Sequence, residues 1–359
     1  MSHHMSAELP YPRLEISLAK IRQNTRTLVN RCRALGIGVA GVTKVFCAHE
    51  VIARAMVDGG IEYIADSRVE NLKRLQDIRL PKILLRLPMI SRADEVIEFA
   101  DISLNSEIET IKALSVQARL KKKTHQVILM VDLGDLREGI IDQAELLQTA
   151  EIALGLEGIS IAGIGTNLTC FGGVIPTTKN LETLVRLGNS IEQRFHINLD
   201  VVSGGGSSSL HLHHIPDGIN QLRLGEAIVL GRETAYGNRI EGTFDDCFKL
   251  VVEIVEVKEK PSAPFGEIGT DSFGKKPSFV DKGIRRRAIC AIGKQDVDPE
   301  HLVPDDDDIV ILGASSDHLL LDVTECHKVY TVGDLISFRL EYAGILSAMT
   351  SEYVSKSVR

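Results

Sequence analysis

From about residue 12 to about residue 235 the chain alternates between two textures. One is amphipathic. "AKIRQNTRTLVNRCRAL", "SRVENLKRLQDI", "SRADEVIEFA", "SEIETIKALSVQARLKK", "DQAELLQTAEIALG" and "TTKNLETLVRLGNSIEQRF" carry apolar residues three and four apart, with charged residues opposite. That spacing predicts helices with one face on a core. The other texture is a set of short apolar runs at 37–44, 61–65, 82–87, 101–105, 126–133, 158–165, 198–203 and 219–224. These have the length of strands buried on both faces. Eight strands, each followed by a helix or a short connection, predict an α/β fold, a (β/α)8 TIM-type barrel. An open doubly wound sheet is the alternative, and eight units within ~220 residues favour closure.

Beyond about residue 240 the pattern changes. "CFKLVVEIVEVKEK", "RRAICAIGKQDV", "DDIVILGASSDHLLLDV" and "VYTVGDLISFRLEY" are β-branched runs bounded by Gly, Pro and Asp, without a long amphipathic stretch. They predict a second, mostly β domain. The expected division is a barrel over 12–238 and a β domain over 239–359, joined by residues 1–11.

Composition narrows the function classes. With 41 basic and 49 acidic residues the net charge is −8, unlike the basic surface of a general nucleic-acid binder. Tryptophan is absent and aromatics make up 4%, too few for a platform of stacked bases. No apolar run reaches the ~18 residues that a membrane helix needs, and the N-terminal stretch has no signal-peptide core. The six cysteines are scattered without a CxxC pair, as in a reducing compartment. A cytoplasmic enzyme or binding protein is expected, with no nucleic-acid or membrane partner.

In a barrel of this type the chemistry lies at the C-terminal ends of the strands. The first run ends in Lys44, the second in Asp66 and Ser67, and the fifth in Asp132 followed by Arg137. The sixth ends in Thr166 and Asn167, the seventh in "SGGGSSS" (203–209), and the eighth carries Arg223, then Gly225 and Glu226. Singly, each reads as ordinary solvation of a strand end. Converging on one rim, they read as a site. Successive glycines let backbone N–H groups turn toward an anion, and barrels often bind phosphate near strands seven and eight. Arg223 lies within an apolar run, so it needs a partner, for which Glu226 or another acid is the plain reading. The apolar surroundings of Lys44 suggest partial desolvation, which frees an amine for nucleophilic work. "HLHH" (211–214) invites a metal reading, but no carboxylate or cysteine completes a ligand set nearby. No metal is expected.

A lysine ending strand one, a glycine–serine cradle after strand seven and an arginine on strand eight together suggest pyridoxal 5'-phosphate. Here the chain resembles the alanine racemase family, fold type III pyridoxal-phosphate enzymes, and within it the ornithine racemase-like subgroup. "GVTKVFCAHE", "MVDLGDLREGI", "SGGGSSSL" and "LRLGEAIVLGRE" carry the resemblance in the barrel. "IGTDSFGKKPSF", "GIRRRAICAIGKQDV" and "AMTSEYVSK" carry it beyond. It implies an amino-acid racemase acting by Cα proton abstraction, with ornithine or another basic amino acid as substrate. Lys44 would hold the cofactor and act as one acid/base, and Arg223 would face the pyridine nitrogen. Ser207, Gly225 and the Glu226 backbone would hold the phosphate. Arg137 would lie near the substrate carboxylate.

Two positions depart from the family. The tyrosine expected four residues after the lysine is Ala48, and the catalytic tyrosine of the β domain is matched by Phe273, which carries no proton. Phe273 would line the substrate, and the second acid/base is open. Asp271 and Asp317 are candidates, each with a plain turn aspartate as the other reading. The family arrangement implies a homodimer whose β domain contributes to the second subunit's active site. Two other readings remain: a pyridoxal-phosphate carrier protein without racemase activity, or an alanine racemase. Such carriers generally lack the β domain.

Overall fold

The structure, a computed structural model, describes residues 9–270, 273–274 and 276–359. It divides into two compact units, one formed by Leu18–Asp245 and the other by the chain before it together with Asp246–Arg359. The first strand, β1 (Arg13–Ile16), belongs to the second unit, and the barrel begins after it.

The barrel unit opens with α1 (Leu18–Arg33), β2 (Gly38–Val42), α2 (Glu50–Asp58), β3 (Tyr63–Asp66), α3 (Val69–Arg74) and β4 (Lys82–Leu84). It continues with α4 (Ala93–Phe99), β5 (Ile102–Asn105), α5 (Ile108–Lys121), β6 (His125–Met130), α6 (Gln143–Leu154) and β7 (Ile159–Gly165). It ends with α7 (Thr178–Phe195), β8 (Val201–Ser203), β9 (Gln221–Leu224) and α8 (Glu226–Leu230). Strands β2 to β9 pair in order and close, with β2 parallel to β9 and Ala40 opposite Arg223. Each expected apolar run holds one of these strands.

Local chemistry explains the boundaries. Helix α1 buries Ile21, Leu28, Val29 and Cys32 on one face. Its buried Asn24 donates to Ile228 O (2.9 Å) and Phe244 O (2.8 Å) and accepts from Phe244 N (2.7 Å), pinning the end of the unit to its first helix. Helix α7 starts at a reciprocal capping box between Thr177 and Asn180. Inside, Ala40, Ala65, Ile83, Leu104, Ile128, Met130 and Val201 share one buried cluster. The interior is therefore packed apolar matter, and chemistry is left to the strand ends.

In the second unit β1 pairs antiparallel with β10 (Phe248–Pro261). The remaining strands are β11 (Ile284–Cys290), β12 (Leu302–Pro304), β13 (Val310–Ala314), β14 (Leu319–Asp322) and β15 (Leu335–Leu340). They form an antiparallel sheet in the order β12-β15-β10-β11-β14-β13. A helix, α9 (Tyr342–Thr350), then leads to β16 (Ser355–Val358), which lies parallel to β1. Residues 12–16, expected with the barrel, lie in this unit, and α9 is a short helix within an otherwise β pattern. "RLEI" is too short to reveal its partner, and α9 is too uniformly apolar to show an amphipathic period. Among the described residues no helix is long and apolar enough to cross a membrane.

Candidate active site at the barrel rim

Lys44 opens a short 3-10 turn, Lys44–Phe46, directly after β2. Val45 and Phe46 are buried, while the Lys44 side chain is exposed. This corrects the expected desolvation: the apolar neighbours anchor the turn, and the lysine stands out on the rim. Cys47 closes the turn in a left-handed conformation, its N–H on Lys44 O. Thr43, just before the lysine, is held on both sides. Its N–H donates to Ala65 O (2.9 Å) and its hydroxyl to Asp66 Oδ2 (2.6 Å). Asp66 also accepts from Asn71 Nδ2 (3.0 Å) and Arg68 N (2.9 Å). Burial raises its pKa from 3.8, against these hydrogen bonds.

Arg223, on β9, is fully enclosed. Its guanidinium donates to Ser203 Oγ, to Thr166 O (2.6 Å) and to Asn167 Oδ1 (2.6 Å). All three are neutral oxygens, so the expected ion pair with Glu226 is not formed; Glu226 pairs instead with Arg232 (3.1 Å). Burial pulls the Arg223 pKa down to about 10, which still leaves it protonated near neutrality. Beyond Asn167 the network continues. Asn167 Nδ2 donates to Glu138 Oε1, and Glu138 takes both Nε and Nη2 of Arg137. Burial works to lower the Arg137 pKa, and the Glu138 carboxylate outweighs it, leaving it raised.

The loop carrying Arg137 is built stiffly. Asp132 Oδ1 accepts from Gly134 N (2.8 Å) and Leu136 N (3.2 Å). Asp135 accepts from Thr169 N (3.0 Å), Phe171 N (2.9 Å) and Val174 N (3.1 Å), tying this loop to the one after β7. Burial pushes the Asp135 pKa up, but these backbone donors win and hold it below 3.8.

The glycine–serine segment follows β8. Gly205 has φ +99°, a conformation that glycine adopts without a Cβ penalty, and its carbonyl accepts from Arg223 N (2.9 Å). A 3-10 turn, Ser207–His211, comes next. Its leading N–H groups precede the first intra-turn bond, Ser209 N to Gly206 O, so the turn geometry leaves them for another acceptor. Ser207 Oγ accepts from Ala227 N (3.1 Å), binding this turn to the start of α8 beside Gly225 and Glu226. A Cβ on Gly225 would stand 3.0 Å from Val42 Cβ, so the first residues of α8 lie against the strand that leads to Lys44.

These parts fit a flat, phosphorylated pyridine aldehyde. There is an amine on the rim, a cradle of backbone N–H groups, and a buried guanidinium whose acceptors are neutral. Thr166 Oγ1, buried one residue beyond β7, has no hydrogen-bond partner, the condition of a group awaiting a ligand or water. Lys44, Arg137, Ser207, Arg223, Gly225 and Glu226 all belong to this rim.

The other expected site residues lie in the β unit. Phe273 is half exposed, with Lys294 Nζ 4.1 Å from its ring centroid. Asp317 is exposed in the turn between β13 and β14, its carboxylate accepting from Ser316 Oγ (3.1 Å). Asp271 lies outside the described residues. In "HLHH", His211 packs edge-on against Tyr236 and bonds Ser208 O through Nδ1 (2.6 Å). Among the described residues no three His, Cys, Asp or Glu side chains form a metal cluster. The residues that sequence reasoning passed over are Glu138 and Thr43; Asp66 and Asn167 were placed on the rim as strand ends, without a role of their own. The one signal for Glu138 was its place beside Arg137.

A closed parallel barrel with a lysine, a glycine-rich anion cradle and a buried arginine on one rim defines a barrel-type cofactor protein. Residues 16–233 match the family described as alanine racemase, N-terminal domain, and the chain belongs to that family. It is 48% identical to ornithine racemase of Acetoanaerobium sticklandii, over 97% of this chain and 99% of that protein. It is 42% identical to lysine racemase of Thermotoga maritima, over 96% and 98% respectively. Among solved structures, alanine racemase from Streptomyces lavendulae has a TM-score of 0.76 at 17% identity, covering 98% of each chain. That likeness concerns the fold alone.

Proposed function

We propose that the protein is a pyridoxal-phosphate-dependent racemase that interconverts the L and D forms of a basic amino acid, ornithine or lysine. The observation that carries this reading is the 48% identity to an ornithine racemase along nearly the whole of both chains. When bound, the cofactor supplies an aldehyde that captures the amino group and a ring that spreads the charge left at Cα. Everything else falls to the chain's own residues.

Lys44 would hold the cofactor and would move the Cα proton on its own face. Its side chain stands exposed on a turn anchored by the buried Val45 and Phe46. Arg223 would face the ring nitrogen as a fixed cation that keeps its proton, able to donate a hydrogen bond there without protonating the ring. Ser207, Gly225 and Glu226 hold the phosphate through the two linked turn starts. Arg137 binds the substrate carboxylate, for which a planar guanidinium fork is suited. Phe273 lines the substrate. The second acid/base is assigned to Asp271 or Asp317, supplied across a homodimer by the β unit of the second subunit. We place the protein in the cytoplasm, consistent with its six free cysteines.

The test is incubation of the purified holoprotein in deuterium oxide with L-ornithine, L-lysine and L-alanine in turn. The basic amino acids are expected to exchange the Cα proton and invert, with alanine slower. Absence of exchange with every amino acid would favour a carrier of the cofactor instead.

A further inference from the structure

One carboxylate of this rim holds one guanidinium directly and is linked to a second through an amide. Glu138 Oε1 accepts from Arg137 Nη2 (2.5 Å) and from Asn167 Nδ2, and Oε2 accepts from Arg137 Nε. Asn167 Oδ1 then accepts from Arg223 Nη2 (2.6 Å). The Glu138 side chain is 13% exposed, against 39% for Arg137. The carboxylate thus lies deeper than the arginine it holds, where water screens it less. The Asn167 amide has a fixed sense: flipped, it would set its NH2 group against a guanidinium and its oxygen against a carboxylate. The backbone also favours the placement. Gly139 has φ +131°, and a Cβ there would lie 2.4 Å from Asp132 N, so a glycine lets the chain turn back to Ile140 directly after Glu138.

We propose that Glu138 is a positioning residue for both arginines. It aims Arg137 at the substrate carboxylate and, through the Asn167 amide, sets the orientation in which Arg223 meets the cofactor ring. The proposal rests on the racemase reading above and deepens it. A bidentate carboxylate–guanidinium pair fixes direction as well as charge. Arg137, with both Nε and Nη2 engaged, can offer only its remaining N–H groups, and Glu138 decides which way these point. One acid thereby couples the substrate's binding group to the cofactor's.

The test compares the full-length, cofactor-loaded protein with Glu138→Gln, Glu138→Asp, Asn167→Leu and Arg137→Gln variants. Three quantities are read: KM against kcat for the basic amino acid, the dissociation constant for pyridoxal phosphate, and the visible absorption band. Arg137→Gln is expected to raise KM by about tenfold, equivalent to ~1.4 kcal/mol. Glu138→Gln should reproduce most of that rise with a smaller change in kcat. It should also weaken cofactor binding and move the absorption band, as Asn167→Leu does. Glu138→Asp keeps the charge but shortens the reach, and should fall between wild type and Glu138→Gln. A merely structural role would lower the melting temperature without moving the band or splitting KM from kcat. If Arg137→Gln raises KM while Glu138→Gln leaves KM, cofactor affinity and band at wild-type values, the proposal is overturned. If Arg137→Gln leaves KM unchanged, the carboxylate-binding role of Arg137 fails. The Arg223 half is then decided by cofactor affinity and band in Glu138→Gln and Asn167→Leu: a change supports it and wild-type values reject it.

Discussion

The Thr43 hydroxyl donates to Asp66 Oδ2 across 2.6 Å, joining the ends of two adjacent barrel strands one residue before Lys44. The bond is buried at both ends. It fixes where the chain leaves β2 and therefore where the lysine starts. Thr43→Val keeps the shape and removes one donor from a buried carboxylate, which costs about 1–3 kcal/mol. A small displacement of the amine is expected to lower kcat roughly tenfold. The pH dependence is a separate check. Asp66 has a folded pKa above its unfolded 3.8, so its stabilising contribution is full below 3.8 and is lost as pH rises through the folded value. Removing the threonine donor raises that value further, so the deficit of the variant should be larger at pH 7 than at pH 4. Urea unfolding of both proteins at the two pH values measures this; an equal deficit at both would show that Asp66 is not the group responsible.

Lys44 carries the second prediction. Lys44→Ala should fold like the wild type, because the side chain is exposed and the turn is anchored by Val45 and Phe46. It should lose the visible band of covalently held cofactor, and racemisation should fall by ~10²–10⁴-fold. Absorption spectra and circular dichroism on the same samples separate the two effects. A variant that keeps the band would place the attachment elsewhere.

The barrel was legible because each strand is a short apolar run set between amphipathic helices, a pattern carried by neighbours in sequence. Strand β1 was not, since its partners β10 and β16 lie at the far end of the chain and "RLEI" says nothing of them. Lys44 and Arg223 stood out as charges within apolar runs. Burial then separated them: Arg223 is enclosed, while Lys44 is exposed and its apolar neighbours are the buried part. Glu138 did not stand out, nor did its bond to Asn167, which spans 29 residues and exists only where two loops meet. An acid beside an arginine looks in sequence like any surface pair.

His125 provides a stability prediction that does not involve the site. It is buried at the start of β6, with Nε2 2.7 Å from Ser103 Oγ, and burial lowers its pKa from 6.5 to about 4. A depressed histidine binds fewer protons folded than unfolded. Its contribution is therefore present above pH 6.5 and is lost as pH falls through about 4, worth on the order of 3 kcal/mol over that window. Asp66, whose pKa is raised by burial, works in the opposite sense. Replacing His125 with glutamine, which also hydrogen-bonds but does not titrate, should flatten the decline between pH 6.5 and 4. Melting temperatures at half-unit steps provide the comparison, and parallel curves for the two proteins would rule out His125 as the source.

On the proposed racemase reading the opposite face of Cα calls for a second acid/base, and Phe273, matched by the resemblance to the family's tyrosine, offers no proton. With one base on each face, as proposed, Lys44 would remove the proton from one enantiomer and the second group from the other. Loss of the second group should leave an uneven enzyme. One enantiomer would still exchange its Cα proton through Lys44 and return unchanged, while the other would not exchange and neither would invert. This asymmetry distinguishes a lost base from a damaged fold, which slows both directions alike. Asp317 lies in an exposed turn, its carboxylate engaged by the neighbouring Ser316 hydroxyl, so Asp317→Asn should cost little stability and can be read cleanly. Proton NMR of D- and L-ornithine in deuterium oxide, with Asp271→Asn and Asp317→Asn side by side, assigns the role. The variant that exchanges a single enantiomer identifies the residue, and symmetric exchange with full inversion in both removes both aspartates from consideration.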